Sequence, residues 1–139
     1  VLLVPSTVIC CGSLCAGAKA TASGVWPDPP LPAALAVDDD PATRWGAEPG
    51  AKSGWLEVDL GEPKTFGRLR VSEAYDRVRR FELEVEQDGQ WQTVYQGTTI
   101  GADFAADFEP VTAQCVRLNI LETDHVPTIW EFQLYPAEK

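Results

Sequence analysis

Apolar and polar residues alternate in short runs along most of this chain, and this alternation constrains the fold more than any other sequence feature. In residues 55–60 and 79–86 the apolar residues fall at alternate positions, which is the period of a strand with one buried face. Asp88-Gly89 follows the second run directly and predicts a hairpin turn. Residues 31–37 predict one helical turn at most, and no stretch keeps a helical period over eleven or more residues. We therefore predict an all-β protein.

Further strands are predicted at residues 65–72, 91–96, 112–120 and 129–135, with Gly and Pro between them. A change of register around Gly67 indicates a β-bulge. Many short strands at this spacing favour a sandwich or a barrel. The side chains predicted to face the core are Leu56, Val58, Leu60, Phe66, Leu69, Val71, Phe81, Leu83, Val85, Val116, Leu118 and Ile120.

The chain length and charge narrow the possible functions. At 139 residues the chain can form one domain with a core of its own. Its formal net charge of -10 opposes binding to nucleic acid and to anionic membranes. Clustered acids can instead hold a hard cation such as Ca²⁺, although acidic loops are also found simply solvated.

The first eighteen residues differ from the rest of the chain. Residues 1–18 are apolar and uncharged and end in Ala16-Gly17-Ala18, a pattern found in secretory leaders and equally compatible with an interdomain remnant. Neither reading makes the segment a membrane span, because Pro5 interrupts a short run. We therefore assign residues 19–139 to the domain itself.

The cysteines give a weaker indication. Cys15 could be bridged to Cys10 or to Cys11, and the spacing does not choose between these pairings. Cys115 stands alone and is predicted to be a free thiol. The chain has no C-x-x-C pair and one histidine, His125, which argues against a structural zinc site.

Four ordered motifs carry a resemblance to a known family. Residues 35–45, LAVDDDPATRW, resemble the A-x-D-G-D-x-x-T-x-W loop of discoidin, or F5/8 type C, domains. Residues 55–61, 111–118 and 129–135 resemble three strands that follow in the same order in that family. The resemblance covers residues 19–136 and implies an antiparallel jelly-roll β-sandwich like that of galactose-binding domains.

A second resemblance is narrower. Residues 73–81 and the turn at 97–101, GTTIG, are similar to the modules that follow the catalytic domain of α-L-fucosidases. Asp76 stands where those modules carry Gln, and the turn after Glu73 is shorter here. This resemblance implies that a catalytic domain could be covalently linked to the module.

The family resemblance also implies a structural Ca²⁺ that braces the loops at one end of the sandwich. Asp39 stands where the family usually has Gly, a residue that accepts a positive φ more readily. The implied ligands are the Leu35 carbonyl, the Asp38 carboxylate, the Asp40 carbonyl, the Thr43 hydroxyl or carbonyl and the Glu131 carboxylate.

In this family the sugar site lies on loops near the metal, where flat aromatic rings and planar charged groups can take a sugar. We expect Tyr75 and Arg77 to be the main pair. The full set of candidate side chains is Tyr75, Arg77, Arg79, Trp26, Glu48 and His125.

Three of these candidates have a structural alternative. Trp26 could cap the core, Arg77 could pair with Glu73 or Asp76, and His125 could be an exposed loop residue. Three other tryptophans are interpreted as core or edge packing, namely Trp45, Trp55 and Trp91.

Together these features favour a non-catalytic carbohydrate-binding module for galactose- or fucose-type terminal sugars. We expect it to be secreted, periplasmic or on the cell surface, to target an attached glycoside hydrolase, and to bind neither nucleic acid nor a membrane interior. An enzyme is disfavoured because nothing marks a pair of opposed carboxylates or a nucleophile motif. The alternatives are a mainly structural accessory domain of an α-L-fucosidase and a phospholipid- or protein-binding discoidin domain, although the net charge opposes anionic lipid.

Overall fold

The computed structural model describes residues 13–136, and these form an antiparallel β-sandwich, as predicted. One turn of 3-10 helix at Ala33–Ala36 falls within the stretch predicted to hold a helical turn. The strands are β1 (Lys19–Ala22), β2 (Trp26–Pro27), β3 (Pro30–Leu31), β4 (Trp45–Gly46), β5 (Gly54–Glu73), β6 (Val78–Gln87), β7 (Gln90–Gly97), β8 (Phe104–Thr123) and β9 (Thr128–Tyr135).

Two long strands, β5 and β8, run through both layers of the sandwich. Their halves nearest the β5 start and the β8 end belong to a layer ordered β1-β5-β8-β6-β7. Their other halves belong to a layer ordered β4-β9-β5-β8. The register between them shifts from Asp59 to Lys64, where Gly61 has a φ of 89°. Glycine accepts this φ without strain, so the strand can turn from one layer to the other here.

The core lies between the two layers and contains the residues that alternation predicted. All twelve predicted core side chains are buried, with exposed fractions of no more than 6%. Burying one such aliphatic or aromatic side chain contributes about 1.5–3 kcal/mol, so the alternating runs supply much of the driving force for folding.

The predicted local features are also found. Asp88 and Gly89 both have positive φ, 53° and 79°, as a tight hairpin turn requires. The register of β5 with β8 shifts between Phe66 and Arg68, which places the predicted bulge at Gly67. The prediction was incomplete for β8, which begins at Phe104 and not at residue 112.

The residues just before β1 pack against the sandwich. Leu14 donates a backbone hydrogen bond of 2.9 Å to the Leu134 carbonyl, and Cys15 is fully buried. Burial raises the pKa of the Cys15 thiol to about 12. Part of the segment 1–18, predicted to lie outside the domain, is therefore in contact with its core.

Cys15 and Cys115 are free thiols. The bridges considered for Cys15 involve Cys10 or Cys11, which lie outside the described residues, as does the rest of segment 1–12. Between residues 13 and 136 no helix is long and apolar enough to cross a membrane.

Candidate functional site

A pocket of about 220 Å³ lies at one end of the sandwich, beside the β2–β3 hairpin and the turn between β5 and β6. We call it the loop-end pocket. Its lining residues are Trp26, Leu31, Arg44, Gly46, Tyr75, Arg77, Val126 and Thr128.

Gly46 allows the hairpin to approach the floor of this pocket. A β-carbon at Gly46 would lie 3.0 Å from Leu31 Cδ1 and 3.3 Å from Trp26 Cβ. A side chain here would therefore displace the hairpin, and with it the Trp26 ring that lines the pocket.

Tyr75 is the most exposed aromatic side chain in the pocket. Its exposed fraction is 59%, and its φ is 115°. A positive φ is uncommon for a residue with a bulky side chain and costs free energy unless the surrounding structure enforces it. Such local strain next to an open pocket is typical of a binding residue.

Glu73 holds the turn that carries Tyr75 and Arg77. Its carboxylate accepts backbone hydrogen bonds from Arg77 and Val78 at 3.2 Å and from Gly101 at 2.9 Å. Burial raises the pKa of the Glu73 carboxyl above its usual range, and the three backbone donors offset part of this rise. The turn is therefore fixed by a buried side chain that does not itself line the pocket.

The two pocket arginines contact aromatic rings and are not ion-paired. The Arg77 Cζ atom lies 4.3 Å from the centre of the Tyr75 ring, and Arg77 Nη1 donates to the Val126 carbonyl at 2.8 Å. The Arg44 Cζ atom lies 5.3 Å from the Trp130 ring and 6.0 Å from the Tyr75 ring. Within the described part of the chain neither arginine forms a salt bridge, so the ion-pair alternative for Arg77 is wrong.

Three of the predicted sugar-binding side chains lie outside the pocket. Arg79 forms salt bridges with Asp76 at 3.1 Å and with Asp124 at 2.7 Å. Glu48 is folded over the backbone of Gly24. His125 is exposed, and its carbonyl accepts a hydrogen bond from the Thr123 hydroxyl at 2.8 Å.

The structure thus brings together Trp26, Tyr75 and Arg77 from the predicted set and adds Arg44, which the sequence analysis did not select. The strand period could have identified it, because the neighbouring Trp45 is fully buried and Arg44 must point the other way.

The implied metal ligands of the loop 35–43 converge on one hydroxyl group. Thr43 Oγ1 lies 2.5 Å from Asp38 Oδ2, 3.2 Å from the Asp40 carbonyl oxygen and 3.4 Å from the Leu35 carbonyl oxygen. Asp39 adopts a φ of 61°, so the loop keeps the left-handed conformation for which the family uses Gly.

The Glu131 carboxylate provides a test of whether a cation fits beside this loop. It is 7% exposed, and neither of its oxygens has a hydrogen-bond partner among the described residues. Burial, followed by the charges of Asp38, Asp39 and Asp40, raises the pKa of the Glu131 carboxyl to about 8. The nearby Asp39 N–H offsets part of this rise in pKa, although it does not reach hydrogen-bond geometry with the carboxylate. A buried carboxylate without donors is costly, and a bound cation would remove that cost.

The donor set fits Ca²⁺ better than a transition metal. In residues 13–136 no group of three or more His, Cys, Asp or Glu side chains is arranged to hold a metal ion. The set described above has two carboxylates, and its other donors are carbonyl and hydroxyl oxygens, which Ca²⁺ accepts readily. The residues therefore fit the implied ion.

The loop 35–43, which carries the implied metal ligands and which we call the metal loop, is joined to the loop-end pocket through adjacent residues. Thr43 precedes Arg44, and Trp130, whose ring contacts the Arg44 guanidinium, precedes Glu131. Any shift of the metal loop would therefore move the pocket arginine.

Comparisons with known proteins agree with this architecture. The sequence model of the F5/8 type C domain matches residues 18–132. The putative α-L-fucosidase 1 of Oryza sativa subsp. japonica is 34% identical over 79 residues, which is 55% of this chain and 15% of the rice protein. The chain thus spans only a small part of this curated relative.

Two solved structures share the fold over most of the chain. Chitosan-binding module 1 of a chitosanase/glucanase from Paenibacillus sp. IK-5 has a TM-score of 0.81 at 27% identity, covering 88% of this chain and 98% of the module. A GH29 fucosidase of Ruminococcus gnavus in complex with fucose has a TM-score of 0.81 at 26% identity, covering 91% of this chain and 27% of the enzyme. This chain belongs to the F5/8 type C domain family and is related within it to carbohydrate-binding and fucosidase-associated modules.

Proposed function

We propose that this chain is a non-catalytic module that binds a terminal sugar of galactose or fucose type in the loop-end pocket. The observation that carries the proposal is the exposed Tyr75 ring, which shares one pocket with Trp26 and with two arginines that form no salt bridge to a described residue. Aromatic faces take the C–H side of a sugar ring, and guanidinium groups bind its oxygens. The volume of about 220 Å³ is below the roughly 300 Å³ of pockets for drug-sized ligands, which favours one terminal ring over a long chain.

Calcium in this proposal serves the structure and does not contact the sugar. The ligands are those of the loop 35–43 together with Glu131, whose orphaned carboxylate supports the assignment. The ion would neutralise the local carboxylates and fix the backbone beside Arg44 and Trp130, so that the pocket is formed before the sugar arrives.

The module would act outside the cell and would direct an attached glycoside hydrolase to its substrate. The similarity to fucosidases that are much longer than this chain supports this role. A single shallow pocket binds weakly, and tethering to an enzyme or to further modules raises the effective affinity.

Two other roles remain as alternatives with less support. The likeness to fucosidases is also compatible with a mainly structural accessory domain, which would leave the loop-end pocket without a ligand. A phospholipid-binding role would need exposed apolar side chains with basic neighbours. Among the described residues the exposed large hydrophobic ones are only Val25 and Tyr75, and the net charge is -10.

The direct test is a glycan-array screen followed by titration calorimetry, each with calcium and with chelator. We expect Tyr75→Ala to abolish binding, because it removes the exposed ring. His125→Ala is the matched control, since this exposed residue of the adjacent loop does not line the pocket. Unchanged binding by Tyr75→Ala, or no glycan bound by the wild-type module, would overturn the proposal.

A further inference from the structure

The loop-end pocket is positively charged, although the protein as a whole carries -10. Arg44 and Arg77 both line it, and no Asp or Glu is among its lining residues. A local excess of positive charge in a strongly acidic protein requires an explanation, because nearby carboxylates would ordinarily neutralise it.

The acidic residues nearest in sequence to the pocket residues Tyr75, Arg77 and Val126 are engaged elsewhere. Asp76 and Asp124 both form salt bridges with Arg79, which lies outside the pocket. Glu73 accepts the backbone hydrogen bonds that hold the 74–77 turn. Arg79 therefore takes up the two carboxylates that could have paired with Arg77.

The pocket also keeps polar groups without partners. The Arg44 Nε and the Thr128 hydroxyl are buried and form no hydrogen bond among the described residues. Arg77 uses Nη1 for the Val126 carbonyl, and no hydrogen bond to a described residue is found for the other N–H groups of its guanidinium. Such groups favour a ligand that brings acceptor oxygens, since unpaired buried donors destabilise the free protein.

The two guanidinium groups lie around the same ring. Their Cζ atoms are 4.3 Å and 6.0 Å from the centre of the Tyr75 ring. Two like charges beside one ring repel one another, and an anion that contacts both removes that repulsion. The planar guanidinium group also matches the planar carboxylate and can bind it through two parallel hydrogen bonds.

From these observations we infer that the loop-end pocket selects a sugar that carries a carboxylate, a hexuronic acid, over the neutral sugar of the same shape. This inference rests on the proposed function and specifies its ligand. The carboxylate lies between Arg44 and Arg77, and the sugar ring lies against Tyr75 and Trp26. For a galactose-type ligand, the acid is galacturonic acid, in which a carboxylate replaces the C6 hydroxymethyl group.

The test compares three sugars with one skeleton: galactose, galacturonic acid and the methyl ester of galacturonic acid. We expect galacturonic acid to bind the calcium-loaded module at least about tenfold more tightly than the other two, since hydrogen bonds to charged groups are stronger than neutral ones. The preference should shrink as NaCl is raised, because salt screens the attraction. Galactose 6-sulfate is a fourth arm, and tighter binding of this ester than of the acid would overturn selection for a carboxylate.

Arg44→Gln and Arg77→Gln should each remove most of the preference for the acid. Arg68→Gln is the control, because it removes one positive charge from an exposed pair with Asp107, away from the pocket. Thermal unfolding checks that each variant is folded. The Arg77→Gln variant also loses the hydrogen bond to the Val126 carbonyl. If it does not fold for this reason, the Arg44→Gln variant and the salt series provide the test.

The outcomes separate this inference from the proposed function. If all three sugars bind equally and Tyr75→Ala abolishes that binding, the module binds sugar but selection by charge is wrong. If no sugar binds, both fail. Loss of the preference in Arg68→Gln as large as in Arg44→Gln would show that the total charge, and not the pocket, sets selectivity, and this would also overturn the inference.

Discussion

Two regions of this molecule place arginine over aromatic rings, and they use the arrangement differently. On the outer face of the β1-β5-β8-β6-β7 layer, the Arg117 Cζ atom lies 4.8 Å from the Trp55 ring and 4.2 Å from the Trp91 ring. Arg117 is also salt-bridged to Glu57 at 2.9 Å. This cluster, which we call the sheet-face cluster, neutralises its cation within the protein, although the buried Arg117 Nε has no hydrogen-bond partner among the described residues.

The loop-end pocket lacks that internal partner. Its two arginines contact Tyr75, which is 59% exposed, and no acid neutralises them within the described residues. The comparison indicates that an arginine over an aromatic ring has a structural role where an acid forms a salt bridge with it. Where no acid does so, the arginine can bind a ligand. The predicted packing role of Trp55 and Trp91 fits the first case.

Removal of the proposed calcium should distinguish the two regions most strongly, because among residues 13–136 the one buried carboxylate without a hydrogen-bond partner is Glu131, beside the loop 35–43. Chelation should lower the free energy of unfolding by about 2.7 kcal/mol when calcium had been present at a hundred times its Kd. Glu131→Gln should unfold at the same temperature with or without chelator. The control, Glu57→Gln in the sheet-face cluster, should keep the full chelator response in differential scanning calorimetry. A wild-type melting temperature that chelator leaves unchanged would contradict the calcium assignment.

A crossed pair of substitutions sharpens the contrast. Arg117→Ala should lower the free energy of unfolding by about 2 kcal/mol, because it removes two cation–π contacts and a partly buried ion pair. Its sugar affinity should stay as in the wild type. Arg77→Ala should have the opposite effect. Its loss in free energy of sugar binding should be larger than its loss in free energy of unfolding. Chemical denaturation and calorimetric titration measure the two effects, and a loss of binding in Arg117→Ala would remove the distinction.

The last expected effect concerns pH. In the metal-free protein the pKa of the Glu131 carboxyl is raised from an ordinary 4.5 to about 8, so the stability contributed by its protonated form is complete below pH 4.5 and is lost as the pH rises to 8. Calcium requires the ionised form, so its apparent affinity should fall by up to about tenfold per unit as the pH drops below 8.

Titration of calcium at pH 7 in buffers of different ionisation enthalpy should reveal the release of close to one proton. Glu57→Gln should release the same number. An affinity that does not change between pH 6 and pH 8 would be inconsistent with Glu131 as a ligand.

The strands were predictable because local alternation determines which side chains are buried. Leu56, Val58 and Leu60 show this, and Asp88-Gly89 marked its hairpin for an equally local reason. The first half of β8 was missed because its partly buried Phe104 and Phe108 are separated by Ala and Asp, which weakens the pattern.

The pocket was predicted less completely because it is assembled from distant segments. The family resemblance pointed to the 74–79 turn, but the sequence could not tell which of its arginines would be neutralised. Arg79 forms a salt bridge with Asp124 of another loop, whereas the Arg77 guanidinium lies over the ring of Tyr75. Arg44 was overlooked because its neighbours fit a metal motif.

The short strand β4 has a practical consequence for engineering. Metal-loop, pocket and core residues alternate here one at a time: Thr43 faces the metal loop, Arg44 and Gly46 line the pocket, and Trp45 is fully buried. A library that varies positions 44, 75 and 77 while keeping 43, 45, 46 and 131 would therefore change ligand preference on an unaltered scaffold. Selectivity and foldability can thus be varied separately in this module, even though the residues that control them are neighbours in the chain.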